Sequence, residues 1–153
     1  MDQYGLKTMY GLTASIGTAQ SGETWTYSPL AAGIDNIAEA MNETIQQYFF
    51  MADQGFARNH VTGAAPAFTM TGRRIVGDAA QDYIFSKKYT LDGSRASSFQ
   101  LVYTNAEQQT VTLTANCTIC NIQEWSGATT DDSAISFEIR FDGAPTVTPA
   151  VAG

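Results

Sequence analysis

The amino-acid sequence predicts a mainly β fold, a β-sandwich or barrel with one flanking α-helix at about residues 78–87. Three observations indicate this class. Residues 133–142 alternate apolar with polar side chains, which is the period of a strand buried on one face. Residues 98–103 and residues 110–119 repeat the alternation, the second segment in a Thr-rich context. The segment that begins at Asp78 carries the strongest helix signal in the chain.

The composition fits a single domain with a weakly charged surface. A chain of 153 residues buries roughly 68–70% of its unfolded surface when it folds, so it needs no disulfide or metal for stability. Charged residues make up 15% of the chain, against a usual share of about 25%. Uncharged polar side chains must therefore cover much of the surface. We expect such a surface to pack readily against copies of itself.

The charge balance excludes several classes of partner. The formal net charge of −7 argues against a protein that binds DNA, RNA or an anionic membrane by neutralising phosphates. No apolar stretch approaches the ~20 residues that a membrane helix needs. The first residues lack the basic and apolar regions of a secretory signal. We therefore expect a protein that is made and used in a cytosol and has no membrane partner.

The first third of the chain is the least regular. Residues 1–22 contain scattered apolar side chains without a sustained period, and we interpret them as an N-terminal arm outside the core. A short strand follows and ends at Pro29. Residues 30–55 fit a helical as well as a strand spacing, but their β-branched and aromatic end favours strands. Residues 56–66 have no period, which predicts a long exposed loop.

The remainder divides into strands and one helix. A strand is predicted from Ala67, and Asp78 is a suitable N-cap for the helix, whose first turn is acidic and which is followed by lysines. In residues 133–142 the alternation predicts four core side chains, Ile135, Phe137, Ile139 and Phe141. Residues 23–142 thus form the predicted domain, and the uncharged residues 143–153 are expected to be a tail or a truncated linker.

The residues that carry chemistry are few and isolated. His60 is the single histidine and lies in the predicted loop, where a lone histidine is more often a solvated surface residue than a catalytic one. Cys117 and Cys120 form a C-x-x-C, but in a strand their side chains point to opposite faces. Two cysteines and one histidine are too few for a zinc site. The sequence therefore predicts no catalytic residues, no cofactor and no metal.

The aromatic run Tyr48-Phe49-Phe50 predicts an unusual strand, because consecutive side chains point to both faces of a sheet. Either both faces are covered within the chain, or another subunit covers one of them. Interfaces favour large aromatic side chains. Our candidate oligomerisation residues are apolar side chains of the predicted arm, this strand and the predicted loop: Leu6, Met9, Tyr10, Leu12, Tyr48, Phe49, Phe50, Phe56 and Val61.

Two motifs carry a resemblance to a known family. Residues 72–85 (GRRIVGDAAQDYIF) and residues 137–145 (FEIRFDGAP) resemble the major tail proteins, or tail tube proteins, of long-tailed bacteriophages, and the similarity runs from about Trp25 to Pro149. The resemblance implies a tail-tube-like fold that assembles as hexameric rings, which stack into a hollow conduit for genome ejection. Double-stranded DNA would pass through this conduit without specific binding. The resemblance also implies other tail proteins, such as the tape measure and tail-end proteins, as partners, a place in the virion tail, and assembly in the bacterial host cytoplasm.

Several alternatives stay open at this point. The family also resembles the ring protein of the type VI secretion tube. A β-sandwich module could instead bind carbohydrate on Trp25, Tyr27 or Trp125, and a small enzyme with an unrecognised site is a third class. If the chain lines a conduit, acidic side chains facing inward would repel DNA and prevent the genome from adhering. Our lumen-facing candidates are Glu43, Glu138 and Asp142, which alternate away from apolar neighbours.

Overall fold

The structure is a computed structural model that describes residues 7–149. Within this range the chain forms ten β-strands and one α-helix. Their bounds are β1 Thr13–Ser21, β2 Thr24–Pro29, β3 Ile34–Ala40, β4 Thr44–Phe49, β5 Ala57–Gly63, β6 Ala67–Arg73, α1 Ala79–Ser86, β7 Ala96–Thr104, β8 Thr110–Gln123, β9 Ala134–Phe141 and β10 Thr146–Pro149. The predicted fold class, mainly β with one helix, is confirmed.

Eight of these strands form one antiparallel sheet. Seven of the eight follow the order β2-β1-β7-β8-β9-β6-β3, and the eighth, β10, pairs with β8. The long strand β8 has β7 on one side, whereas its other side is shared between β9, which pairs with its second half, and β10, which pairs with its first half. Strands β4 and β5 pair only with each other, as a separate two-stranded sheet.

The sheet curls around a single core. Phe68 lies on β6 and Phe99 on β7, with β8 and β9 between them. In a flat sheet, three strand spacings would separate the two by about 14 Å. Their ring centroids are 5.2 Å apart, so the sheet must bend strongly. Helix α1 contacts β1, β2 and β8 and contributes Ala80, Ile84 and Phe85 to the same core.

Strand β9 has the predicted phase. Ile135, Phe137 and Ile139 are almost completely buried, and Phe141 packs against the core while remaining partly exposed. The side chains between them point away from the core, as the period of two requires.

Helix α1 begins after Asp78, whose carboxylate accepts a hydrogen bond from the backbone N–H of Gln81 at 3.1 Å. The carboxylate of Asp82 accepts from the N–H of Gly77, which lies just outside the helix and has a φ of 102°. The Asp78 carboxylate satisfies an N–H group in the first turn that has no partner within the helix, and the Asp82 carboxylate satisfies one just before the helix.

The interpretation of residues 1–22 as an arm outside the core is wrong for β1. This strand pairs with β2 and β7, and Ile16 is fully buried. The sequence signal is weak because most buried positions of β1 hold small residues. Trp25 packs over Gly17, where a Cβ atom would lie 2.6 Å from the indole. Residues 1–6, including the candidate Leu6, lie outside the described residues.

Two further expectations need correction. Residues 56–66 are not a loop, because Ala57–Gly63 is strand β5. Its sequence is polar because neither face of this strand packs against the core. Residues 143–153 are not simply a tail, because Thr146–Pro149 forms β10 and pairs with β8. Within residues 30–55, the choice of strands over a helix is confirmed by β3 and β4.

Candidate assembly interface

Strands β3 to β6 form one long hairpin that is interrupted in the middle. The pairing of β3 with β6 stops at Ala40 and Ala67. After a short break, the pairing of β4 with β5 starts at Thr44 and Gly63. The short break between the two halves is bridged by hydrogen bonds, because the N–H of Ala65 donates to the carbonyl of Met41 and the Asn42 amide donates to the carbonyl of Ala65. We call β4, β5 and the turn between them the projecting hairpin, residues 44–63.

The projecting hairpin is apolar without being buried. Every residue from 41 to 62 is exposed except Asp53, which is half-buried. Its large exposed side chains are Ile45, Tyr48, Phe49, Phe50, Met51, Phe56 and Val61. An aromatic side chain presents about 200 Å², so the four aromatic residues alone leave on the order of 450 Å² of apolar surface in water. The aliphatic residues extend this area beyond the roughly 300–600 Å² of the largest patch on a typical monomer.

The tip of the projecting hairpin, residues 50–56, has a fixed shape. Arg58 makes a bidentate ion pair with Asp53, in which Nη2 lies 2.8 Å from Oδ1 and Nε lies 3.1 Å from Oδ2. The rings of Tyr48 and Phe50 stack with centroids 5.6 Å apart. An isolated two-stranded hairpin is marginally stable in water, so these contacts support a segment that receives no help from the core.

A second apolar surface lies beside β3, the outermost strand at one end of the sheet. Here the turn at Met9–Gly11 and the start of β3 enclose a groove of about 290 Å³. We call it the β3 groove; its apolar lining consists of Met9, Tyr10, Leu12, Leu30, Ile34 and Ile37. Met9 and Tyr10 are exposed, whereas Leu12 packs against the core. The candidate oligomerisation residues that the structure describes therefore divide between two surfaces, this groove and the projecting hairpin.

The three candidate acids do not form one group. Glu43 lies in the break before β4 and is exposed. Glu138 accepts hydrogen bonds from Arg140 and Asn121, and Asp142 accepts one from the Thr118 hydroxyl. The hydrogen bond from Arg140 lowers the pKa of Glu138. The Arg140 guanidinium also offsets one of the negative charges on this side of β9.

The surface around Glu138 is rich in hydroxyl and amide groups. It is the side of the sheet that faces away from the core, where Gln100 of β7 pairs with Thr114 of β8 and Thr118 pairs with Arg140. Ser136 and Thr71 continue this side across β9 and β6. Such side chains present hydrogen-bonding groups without a strong field of either sign.

Sequence reasoning did not find the most extensive polar cluster. Arg74 has an 8% exposed side chain and forms ion pairs with Glu124 at 2.8 Å and with Asp82 at 2.9 Å. Lys88 reaches the other oxygen of Glu124 at 2.6 Å. Burial opposes ionisation of Glu124, but the hydrogen bonds from Lys88 and Arg74 outweigh it and lower the pKa of this carboxyl. Every charge in the cluster has a partner, so its role is structural.

The remaining chemical candidates are isolated as well. His60 lies on β5 opposite Gln46 and is exposed. Cys117 faces the core as a free thiol, and burial raises its pKa to about 12. In residues 7–149 no three His, Cys, Asp or Glu side chains are grouped so that they could hold a metal ion. No helix in that part of the chain has the length and apolar content needed to cross a membrane.

This mainly β fold is shared with phage tail tube proteins of known structure. The chain is similar to a protein in the tail of the empty gene transfer agent particle, determined with C6 symmetry (TM-score 0.71, 11% identity, 94% of this chain and 99% of that chain covered). It is also similar to the SPP1 tail tube protein (TM-score 0.67, 14% identity, coverage 94% and 80%). A third similar structure is the sheath–tube complex of the PVC extracellular contractile injection system in its extended state (TM-score 0.60, 11% identity, coverage 97% and 95%).

No family model and no curated protein matches the sequence. At these low identities the structural similarity establishes a shared fold.

Proposed function

We propose that this chain is the structural subunit of a bacteriophage tail tube, which forms hexameric rings that stack into a hollow conduit for genome ejection. The observation that carries the proposal is the projecting hairpin, an apolar surface that nothing in residues 7–149 covers, on a fold shared with tail tube proteins. A ring of six is supported by the C6 symmetry of the gene transfer agent tail.

Burial of the projecting hairpin is the driving force for assembly in this proposal. At about 25 cal/mol per Å², covering 450 Å² of aromatic surface is worth on the order of 11 kcal/mol before the entropy of association is subtracted. The same hairpin adds nothing to the core of the monomer. Tyr48, Phe49, Phe50, Phe56 and Val61 are therefore contact residues between copies.

The conduit surface in this proposal is the hydroxyl-rich side of the sheet. Glu138 and Asp142 lie there, and Arg140 balances one of their two charges. DNA would meet hydrogen-bonding groups and a slight excess of negative charge, so that it is neither bound nor strongly repelled. Glu43, which lies at the base of the projecting hairpin, has a weaker case as a lumen residue.

The proposed partners follow from the same role. Copies of the chain are the principal partner, and other tail proteins, such as the tape measure and tail-end proteins, contact the inside and the ends of the tube. Similar structures include a tube-terminating cap and a sheath/tube terminator, which supports contacts at the tube end. The protein would be located in the virion tail after assembly in the host cytoplasm, and its role is structural rather than catalytic.

A second candidate is the tube of a contractile injection system, which is favoured by the similarity to the PVC sheath–tube complex. The carbohydrate-binding alternative is less well supported. Trp25 packs over Gly17, and the hydroxyl of Tyr27 bonds that of Ser98 at 2.8 Å, so both side chains are engaged within the fold. The third candidate, Trp125, is 63% exposed and is the one that stays available as a stacking surface.

Electron microscopy of the purified protein tests the proposal. The wild-type chain should form rings or tubes, and Phe56→Ser should abolish them while leaving the thermal midpoint unchanged. Tyr89→Ser is the matched control, because Tyr89 is equally aromatic and exposed but lies outside the projecting hairpin. A wild-type protein that stays monomeric at high concentration, or tubes that survive Phe56→Ser, would contradict the proposal.

A further inference from the structure

We propose that the tip of the projecting hairpin of one copy, with Met51 and Phe56, inserts into the β3 groove of a second copy. This inference rests on the proposed self-assembly and assigns the receiving surface. Met51 is 97% exposed and Phe56 is 77% exposed, so both are available to a partner.

The sizes of the two surfaces match. A cavity of about 150 Å³ lined by aliphatic and aromatic side chains accommodates a benzene molecule. The β3 groove has about 290 Å³, which is room for roughly two groups of that size. Its floor is apolar, since Leu30 is buried and Ile34 and Ile37 pack against the core. One methionine and one phenylalanine side chain would fill it.

The electrostatics of insertion are also favourable. The charged groups at the tip, Asp53 and Arg58, already neutralise each other through their bidentate pair. Asp35 is the one ionisable acid or base among the groove-lining residues that the structure describes, apart from the Tyr10 phenol. Its carboxylate accepts a hydrogen bond from Thr71 at the side of the groove. Insertion therefore leaves no charge of the tip buried without a partner.

The tip cannot reach the groove of its own chain. Ile37 lines the groove from β3, and β3 leads through the break at residues 41–43 into β4, which carries the tip away from it. Turning the tip back would break the pairing of β3 with β6 or of β4 with β5. The ion pair and the Tyr48–Phe50 stack favour one shape of the tip before contact, which reduces the entropy lost on insertion.

Insertion of this kind joins two different surfaces, so each copy offers one free tip and one free groove. Such a heterologous contact closes into a ring when its rotation closes and otherwise repeats as an open stack. Fourteen residues separate Ile37 from Met51, and at about 3.3 Å per residue they span at most about 46 Å. The grooves of two copies joined by tip and groove should therefore lie about 46 Å apart or less.

Cysteine cross-linking tests the contact in the full chain. The background is Cys120→Ser, because Cys117 is buried and its raised pKa keeps the thiol protonated. Met51→Cys protein and Ile37→Cys protein are mixed under assembly conditions and oxidised. We expect covalent dimers that contain one copy of each, and none when Leu91→Cys, exposed outside both surfaces, replaces Ile37→Cys.

The outcomes separate this inference from the proposed function. Tubes that form without the mixed dimer, or with equal cross-linking to Leu91→Cys, overturn the tip-and-groove contact and leave the tube function standing. Absence of any assembly overturns the tube function itself. Protection of Ile37→Cys from maleimide in the dilute monomer would show that another segment of its own chain fills the groove, which also overturns the inference.

The shape of the tip provides a second test. Arg58→Asp should place two carboxylates together and reduce the amount of polymer at a fixed concentration at least tenfold. The swap Asp53→Arg with Arg58→Asp restores an ion pair with the same net charge as the wild type and should recover most of the polymer. Equal polymer in all three proteins would show that a fixed tip is not needed.

Discussion

Arg74 and Glu124 are 50 positions apart in the chain, yet Nε of the arginine donates to Oε2 of the glutamate at 2.8 Å. The contact joins the segment after β6 to the end of β8. Arg74 also binds Asp82 of the helix, and its guanidinium lies 4.8 Å from the centroid of the Phe85 ring. One side chain thus holds the helix against the end of the curled sheet.

Arg74→Ala should destabilise the monomer by roughly 3 kcal/mol. Removal of one partner of a buried ion pair leaves the other poorly compensated, although Lys88 still neutralises part of the charge on Glu124. Urea denaturation followed by tryptophan fluorescence measures the change. Arg140→Ala, which removes an exposed partner of Glu138, is the control and should leave the midpoint nearly unchanged. Equal losses of stability in both variants would show that the Arg74 ion pairs stabilise the fold no more than an exposed ion pair does.

Stability should fall in acid because the pKa values of Glu124 and Asp82 are lowered in the folded state. The stabilisation from both carboxylates is present in full above their ordinary pKa values of about 4 and is lost as the pH falls through the lower folded values. Urea midpoints measured from pH 7 to pH 3 should therefore decline below about pH 4.5. Glu124→Gln should lower the midpoint at pH 7 and flatten the acid decline, whereas Glu107→Gln, an exposed change outside the cluster, should preserve the wild-type profile.

Gly72→Ala should be severely destabilising. A Cβ atom at position 72 would lie 1.9 Å from the carbonyl oxygen of Gly33, so the backbone of β3 would have to move away from β6. Overpacking of this kind costs about 1–3 kcal/mol or more. Gly93→Ala is the control, because its Cβ atom would meet nothing within 4 Å. Similar melting temperatures for the two variants would contradict the close approach of the strands.

Phe137 and Phe49 provide a matched pair of substitutions. Phe137→Ala should cost about 3–5 kcal/mol, since it empties a fully buried site in the core. Phe49→Ala should change the free energy of unfolding of the monomer by less than about 0.5 kcal/mol, because Phe49 is 64% exposed, but should weaken polymerisation. Denaturant melts and sedimentation separate the two effects. A large loss of monomer stability in Phe49→Ala would show that the Phe49 side chain packs against the core of its own chain.

Asp78→Ala should lose about 0.5–2 kcal/mol through removal of the N-cap bond to Gln81. Asp78→Asn and Asp78→Ser keep an acceptor and should lose less. Hydrogen exchange of the amides in Ala79–Ser86 reports on the helix directly. Unchanged protection in Asp78→Ala would show that the cap contributes nothing.

The parts of the fold that the sequence predicts correctly are those in which a local pattern coincides with burial. In β9 every second side chain is large and apolar, and Ile135, Phe137 and Ile139 are buried, so the period alone gives the phase. The start of α1 is likewise visible, because Asp78 and the residues after it act within one turn.

The parts that could not be predicted depend on partners distant in the chain. Strand β1 is buried largely through small residues such as Ala14 and Gly17, which leave no apolar period. Strand β5 gains its structure from pairing with β4 alone, so its polar sequence resembles a loop. Gln81 can be fully buried because its side-chain amide makes hydrogen bonds with the backbone of Ala32, Arg73 and Ile75. No local sequence pattern reveals these contacts. Most of the exposed apolar side chains of the projecting hairpin were predicted as contact residues, but Ile45 and Met51 were not. The division of the candidates between a projecting hairpin and a groove required the structure.

The separation of the projecting hairpin from the core has an evolutionary consequence. If the projecting hairpin joins copies as proposed, substitutions in residues 44–63 would change how copies recognise one another without lowering the stability of the subunit, because none of those side chains belongs to the core cluster. Selection for assembly and selection for folding therefore act on different residues. A lineage can alter its contacts, and with them the identity of the copies it accepts, while the sheet and helix persist.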